Sequence, residues 1–280
     1  MMRLWLLLLI MPLQVWATNK IEDSIAHIDI GKKPNDMTLI LLSSGLVLKT
    51  SQGDKKDLSY LQWAREKNLI LEFTFEDDRS LIQVTDSTSE NNESVPGVSE
   101  KSDYLPSVLE DKDVMEKIFK SFKRGTTPWS QCYNRAHIWS YESKLKFNLD
   151  SMKVFMFYTS RYIRNYDFKW WFHVSPFTYI RDGETSEERV LDGLFSTEPI
   201  AMKKWTDKFM ANKALCPSIT KYSQYRNRQE MEDCYLLKTT MYYVQPLDLE
   251  KMERNNFQKT NWSDYEIRRA YRNAFNVYDN

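Results

Sequence analysis

The chain has 280 residues, which allows one large domain or a core domain with a smaller one attached. Lys and Arg (39) balance Asp and Glu (39), so no basic field points to nucleic acid as a partner. Three histidines in unrelated contexts do not make a metal-ligand cluster, and no cofactor motif is present.

Residues 1–17 read as an export signal. Arg3 supplies the positive charge, Leu4 to Val15 form a short apolar run, and Val15-Trp16-Ala17 is an acceptable cleavage site. The run is short for a membrane span, so the expectation is an exported protein, periplasmic or secreted, with no stable membrane anchor. Residues 18–85 read as a small α+β domain. Met37 to Leu42 and Leu46 to Thr50 flank Ser43-Ser44-Gly45, a hairpin signal. Asp57 to Lys67 has helical spacing, and Leu69 to Phe75 and Ser80 to Val84 read as strands. His27 reads as a surface or loop histidine. Residues 86–104 are too polar to bury an ordered core and mark a disordered linker. Residues 105–280 form the second domain.

That domain opens with a helix over 111–123, its apolar stripe built on Val114, Ile118 and Phe122 with Met115 and Phe119. Gly125 and Pro128 then interrupt the chain. Ser130 is the expected N-cap of a second helix running to about Ser143, which puts Cys132 in its first turn. The helix dipole and the free N–H groups there favour a thiolate. A buried core cysteine is the competing reading. Residues 152–159 and 168–179 read as antiparallel strands joined through Asn165-Tyr-Asp167. A short strand over 189–192 stops at Gly193. A helix follows over 199–210, capped by Ser196 or Thr197, then a strand over 236–244 and a closing helix over 264–275. The order gives an α+β class rather than a parallel βαβ sheet.

Cysteine arithmetic leaves one thiol over. A Cys216–Cys234 bridge closes a short loop and frees Cys132; the other two pairings remain open. A cysteine nucleophile needs a base and an orienting group. His137 lies roughly 140° round the helix from Cys132 and faces away, which suits packing or structural support. His173 sits mid-strand in Trp170-Trp-Phe-His-Val-Ser-Pro176, sharing a face with Trp171 and Ser175. A satisfied core histidine is the competing reading. Asp192, before Gly193, is the natural orienter, with Asp167 and Asp182 as turn-type alternatives. Trp170 to Phe172 either wall a cleft or pack the core.

Cys132-Tyr-Asn-Arg-Ala-His137, then Trp170-Trp-Phe-His-Val-Ser-Pro176, then Val190-Leu-Asp192 followed by Pro199-Ile-Ala-Met-Lys-Lys-Trp205, resembles the bacterial protein-glutaminase (protein glutamine deamidase) family. The resemblance covers most of residues 110–275. It implies Cys132 as nucleophile, His173 as general base and acid, and Asp192 as orienter. Trp129, Gln131 and His137 are the expected oxyanion or structural support. It implies a papain/transglutaminase-like core, with the cysteine at a helix N-terminus packed on an antiparallel sheet. The substrate would be a glutamine-containing peptide or protein, and residues 18–85 would act as an inhibitory pro-segment or as an accessory module. A transglutaminase, a cysteine peptidase or a non-catalytic exported binding protein are the alternatives.

Overall fold

A computed structural model describes residues 18–32, 36–51, 55–87, 98–99, 104–126, 131–256 and 258–275. The expected signal segment, Trp129, Ser130 and most of the expected linker lie outside the described residues. The chain is a mixed α+β protein with two main sheets.

The first sheet has the order β3-β2-β1-β4-β5 and is antiparallel throughout. Its strands are β1 (Asn19–Asp29), β2 (Thr38–Leu42), β3 (Val47–Thr50), β4 (Ile70–Phe75) and β5 (Leu81–Asp86). Helix α1 (Lys55–Glu66) packs on it through Leu61 and Ala64, against Ile25, Ile40, Leu48, Leu71 and Phe73. The central strand β1 was not expected from the sequence. Its first half carries Lys20, Glu22 and Asp23, which hide the alternation of a half-buried strand. Pairing compensates: Lys20 forms an ion pair with Glu72 at 2.8 Å on the neighbouring strand. His27 is therefore not a loop residue. It lies in β1, half-buried, where burial and the Arg65 and Arg226 charges lower its pKa to about 4.

Val98–Ser99 (β6) pairs with Gln258–Lys259 (β14) inside the expected linker region. The second main sheet has the order β11-β10-β9-β8-β13-β12, with β7 (Val108–Leu109) added alongside β9. Its central strands are β8 (Met152–Tyr158), β9 (Phe172–Asp182), β10 (Thr185–Val190) and β13 (Cys234–Thr240), all antiparallel to their neighbours in this group. The short strands β11 (Ile200–Ala201) and β12 (Ser218–Ile219) close the two edges. Helix α2 (Lys112–Lys120) buries Met115, Ile118 and Phe119, while Val114, expected in its stripe, is exposed. Helix α3 (Cys132–Phe147) lies against β9 and α8 (Asp264–Phe275). It runs four residues beyond Ser143 because Lys144 to Phe147 favour helix, and Asn148 then ends it in the left-handed conformation.

Three local expectations are corrected. The N-cap of α3 is Gln131, with no side-chain cap bond, rather than Ser130. The link between β8 and β9 contains a helix, α4 (Ser160–Tyr166), capped by the Thr159 hydroxyl accepting from the Tyr162 N–H. Helix α5 (Met202–Phe209) starts later than residue 199 because Ile200 and Ala201 pair with β10. The remaining helices are α6 (Tyr222–Asn227) and α7 (Pro246–Asn255).

The two sheets are joined by backbone pairing near residue 170. The Val47 N–H donates to Lys169 O at 3.0 Å, and the Trp171 N–H to Gly45 O at 3.0 Å. The Trp171 indole N–H donates to Leu42 O at 2.7 Å. Buried Arg79 donates to Val47 O, Phe168 O and Asp167 O, and pairs with the Asp167 carboxylate at 2.5 Å. Gly45 has φ +100° and sits against the Phe172 ring, where a Cβ would come within 3.1 Å, so both conformation and space require glycine. Ala26, Leu39, Leu41 and Val47 join the core of β8 and β9.

Cys216 and Cys234 form a disulfide, leaving Cys132 as the free cysteine. The bridge ties the segment after α5 to the start of β13, and closing a loop of that size contributes about 3 kcal/mol on the chain-entropy model. Among the described residues, no helix is long and apolar enough to cross a membrane.

Candidate active site

Three elements bring Cys132, His173 and Asp192 together. Cys132 is the first residue of α3, half-buried. The helix is fixed beneath it by Tyr133, Ala136, Ile138 and Trp139, all buried. Ala136, one turn on, leaves room for β9 to lie close. His173 is in β9, opposite Met156 of β8. Asp192 lies two residues beyond the end of β10, where the Leu191 N–H still donates to Pro176 O at 2.8 Å and returns the chain to β9. Gly193 follows at a point where a Cβ would meet the Trp139 ring at 3.3 Å.

His173 Nε2 is 2.7 Å from Asp192 Oδ2, and both side chains are buried. Cys132 and His173 are hydrogen-bonded to each other. With Nε2 committed to Asp192, the neutral imidazole carries its proton there and leaves Nδ1 for the thiol. The Val174 N–H adds a backbone hydrogen bond to the sulfur. Asp192 Oδ2 also accepts from the Trp205 indole N–H at 2.9 Å, and Oδ1 accepts from the Leu194 and Phe195 N–H groups at 3.4 Å.

The electrostatics follow from these contacts. Burial alone would raise the Cys132 thiol, but the His173 hydrogen bond and charge, with Arg135 nearby, outweigh it and lower the pKa. Burial alone would lower His173, but the Asp192 charge and hydrogen bond raise it to about 9. Asp192 is held below its ordinary range: burial opposes ionisation, but His173, Trp205 and Arg135 favour it. Arg135, buried one turn after Cys132, carries positive charge towards both Cys132 and Asp192. Opposite shifts in a hydrogen-bonded thiol and imidazole favour a thiolate–imidazolium pair. Cys132 is therefore expected to react with iodoacetamide at pH 7 at close to its full rate. In His173→Ala the rate should follow an ordinary thiol titrating near ~8.5. A wild-type profile already centred there would contradict the pair.

The other sequence candidates fall elsewhere. His137 is buried on the far side of α3, its Nδ1 2.9 Å from Lys153 Nζ, with its pKa pushed well down by burial and by the Lys153 and Lys259 charges. Lys153 also donates to Tyr243 O at 2.6 Å. Gln131 accepts from Asn134 Nδ2 at 3.0 Å at the helix start. Asp167 is engaged by Arg79 and Lys49, and Asp182 is exposed at the end of β9; Asp192 is the carboxylate bonded to His173. Trp171 and Phe172 are core residues, and half-exposed Trp170 packs against Gly45. The rings bordering His173 are instead Phe209 (4.4 Å between centroids), Phe195 (5.2 Å) and Trp205 (5.6 Å). None of the three is a site residue by its sequence spacing: Trp205 and Phe209 reach His173 through the docking of α5, and Phe195 through the turn after Asp192. Among the described residues, no group of three His, Cys, Asp or Glu side chains could hold a metal ion.

The fold and this cluster define an α+β protein with a cysteine–histidine–aspartate hydrogen-bonded chain at a helix N-terminus. Residues 113–209, which contain all three side chains, match the family model described as Glutaminase. The fold is similar to the crystal structure of pro-protein-glutaminase, with 13% identity, 91% of this chain and 92% of that chain covered, and a TM-score of 0.54. It is also similar to a mutant form of pro-protein-glutaminase, with 15% identity, 80% and 83% covered, and a TM-score of 0.51. No curated protein matches the chain. The family model covers residues 113–209, and the two solved structures show a shared fold.

Proposed function

We propose that the protein hydrolyses the side-chain amide of glutamine in peptides or proteins, giving glutamate and ammonia. The observation that carries this reading is the hydrogen-bonded chain from Cys132 through His173 to Asp192 at the start of α3. The Cys132 thiolate attacks the carboxamide carbon. N–H groups of the first helical turn, that of Cys132 among them, have no carbonyl partner within the helix and face the developing oxyanion. Imidazolium His173 gives its proton to the departing ammonia, leaving a thioester on Cys132. Neutral His173 then takes a proton from water, whose oxygen attacks the thioester and restores the thiol. Asp192 holds the imidazole tautomer and offsets its charge. The helix and sheet arrangement is read as a papain/transglutaminase-like core.

Transglutaminase and peptidase chemistry would use the same chain, with a lysine amine replacing water or a main-chain carbonyl replacing the side-chain amide. The two similar structures are both forms of protein-glutaminase, which favours deamidation. Ammonia release without cross-linked or cleaved product separates the three.

The domain reading is an export signal over 1–17, an N-terminal unit over 18–85, a linker over 86–104 and a catalytic domain over 105–280, with the protein acting outside the cytoplasm. The N-terminal unit is read as an inhibitory pro-segment. Its Asp23, bonded to the Ser44 N–H beside the Gly45 turn, lies close enough to Tyr133 to influence that phenol, one residue from Cys132. Cutting the linker and removing the unit is expected to raise ammonia release. An unchanged or lower rate in an enzyme that remains folded would reject the inhibitory role.

A further inference from the structure

We infer that Trp205 is a positioning residue of the site, holding Asp192 through its indole N–H; the inference rests on the reading of Cys132, His173 and Asp192 given above. Asp192 is buried, and a carboxylate in that setting needs its lone pairs filled by donors. Among the described residues, three hydrogen bonds to it are seen beyond that of His173. The Leu194 and Phe195 N–H groups reach Oδ1 only at 3.4 Å, whereas the Trp205 N–H reaches Oδ2 at 2.9 Å. Trp205 is thus the closer of these donors, and it bonds the same oxygen that His173 uses.

The indole is itself well fixed. It is fully buried, and its ring lies 5.6 Å from the imidazole at an interplanar angle of 32° and 5.7 Å from Phe209. Helix α5 is anchored just past that point. The Tyr162 hydroxyl donates to Phe209 O and accepts from the Ala211 N–H at 2.7 Å. The Cys216–Cys234 bridge follows. Trp205 therefore keeps the carboxylate ionised, selects the oxygen that faces Nε2, and covers the His173–Asp192 bond. Phenylalanine could provide the cover but not the donor.

The test is the pH profile of Cys132 alkylation by iodoacetamide in the full chain, which needs no substrate. Two variants are compared with wild type: Trp205→Phe, and Trp205 replaced by the benzothienyl isostere of tryptophan, which keeps the shape and lacks the N–H. Losing the donor lets Asp192 take up a proton at higher pH, so the thiolate–imidazolium pair fails earlier on acidification. The acid limb should move up by about one pH unit, roughly a tenfold loss of rate within the limb, in both variants. An acid limb unmoved in the isostere overturns the inference, and a lower melting temperature without a shifted limb assigns Trp205 a packing role only. If wild-type Cys132 itself shows ordinary thiol reactivity, the reading of the three residues fails first; if only the variants match wild type, this inference fails alone.

Discussion

Cys132→Ala is expected to abolish ammonia release while leaving a folded protein. The substitution removes one sulfur atom from a half-buried position at the very start of α3. The helix is held further along by Ile138 and Trp139, both buried. The Val174 N–H and His173 lose a partner, but His173 keeps Asp192. Stability should therefore change by no more than about 1 kcal/mol. Activity should fall far more, on the order of a millionfold, because the other two cysteines are joined in a disulfide and cannot take over the covalent step. Ammonia assay and thermal unfolding of the same preparation check both halves. Activity retained by a folded alanine variant would move the nucleophile elsewhere.

Asp192→Asn is expected to lower kcat/KM by roughly a thousand- to ten-thousand-fold, the scale set by removing the charge of the orienting acid in a serine–histidine–aspartate site. The carboxamide nearly preserves shape, so its oxygen can still accept from Trp205 and His173. What it lacks is the negative charge that offsets imidazolium. The pH dependence of stability gives an independent check. His173 is raised from 6.5 to about 9 in the folded protein, chiefly by Asp192 acting against burial. A group raised in this way contributes stability that is fully present below its unfolded pKa and is lost as pH rises through its folded value. The wild-type advantage from this pair should thus hold below pH ~6.5 and disappear by pH ~9. In Asp192→Asn that dependence should be absent. Urea unfolding of both proteins across the range measures it, and a parallel dependence in the variant would separate Asp192 from the His173 titration.

Much of the candidate site's geometry is legible in the sequence because its residues sit at places with local signatures. The interruption before Gln131 places Cys132 in a first helical turn, the aromatic strand places His173 in the sheet interior, and Gly193 marks the chain reversal that leaves Asp192 beside it. His137 could be set aside by helical geometry alone, and it does face Lys153 instead of the sulfur. What is not legible depends on packing between distant segments. Strand β1 is disguised by Lys20, Glu22 and Asp23, whose charges are matched only across the sheet. Helix α4 is short, and the Asn165-Tyr-Asp167 turn that ends it looks from the sequence like a connection between strands. The start of α5 is set by the pairing of Ile200 and Ala201 with β10. For the same reason the rings around His173 are Phe195, Trp205 and Phe209 rather than the adjacent Trp171 and Phe172: a strand neighbour is fixed by alternation, but a docked helix and a turn are not.

The most direct test of the central claim is intact-mass analysis of a capped Gln-Gly peptide incubated with the linker-cut enzyme, alongside Cys132→Ala. A gain of about one mass unit is expected on an uncleaved peptide, matched by released ammonia and absent with Cys132→Ala. Cleavage of the peptide, attachment of an added amine in place of water, or no change at all with wild-type enzyme whose Cys132 is reactive would each contradict it.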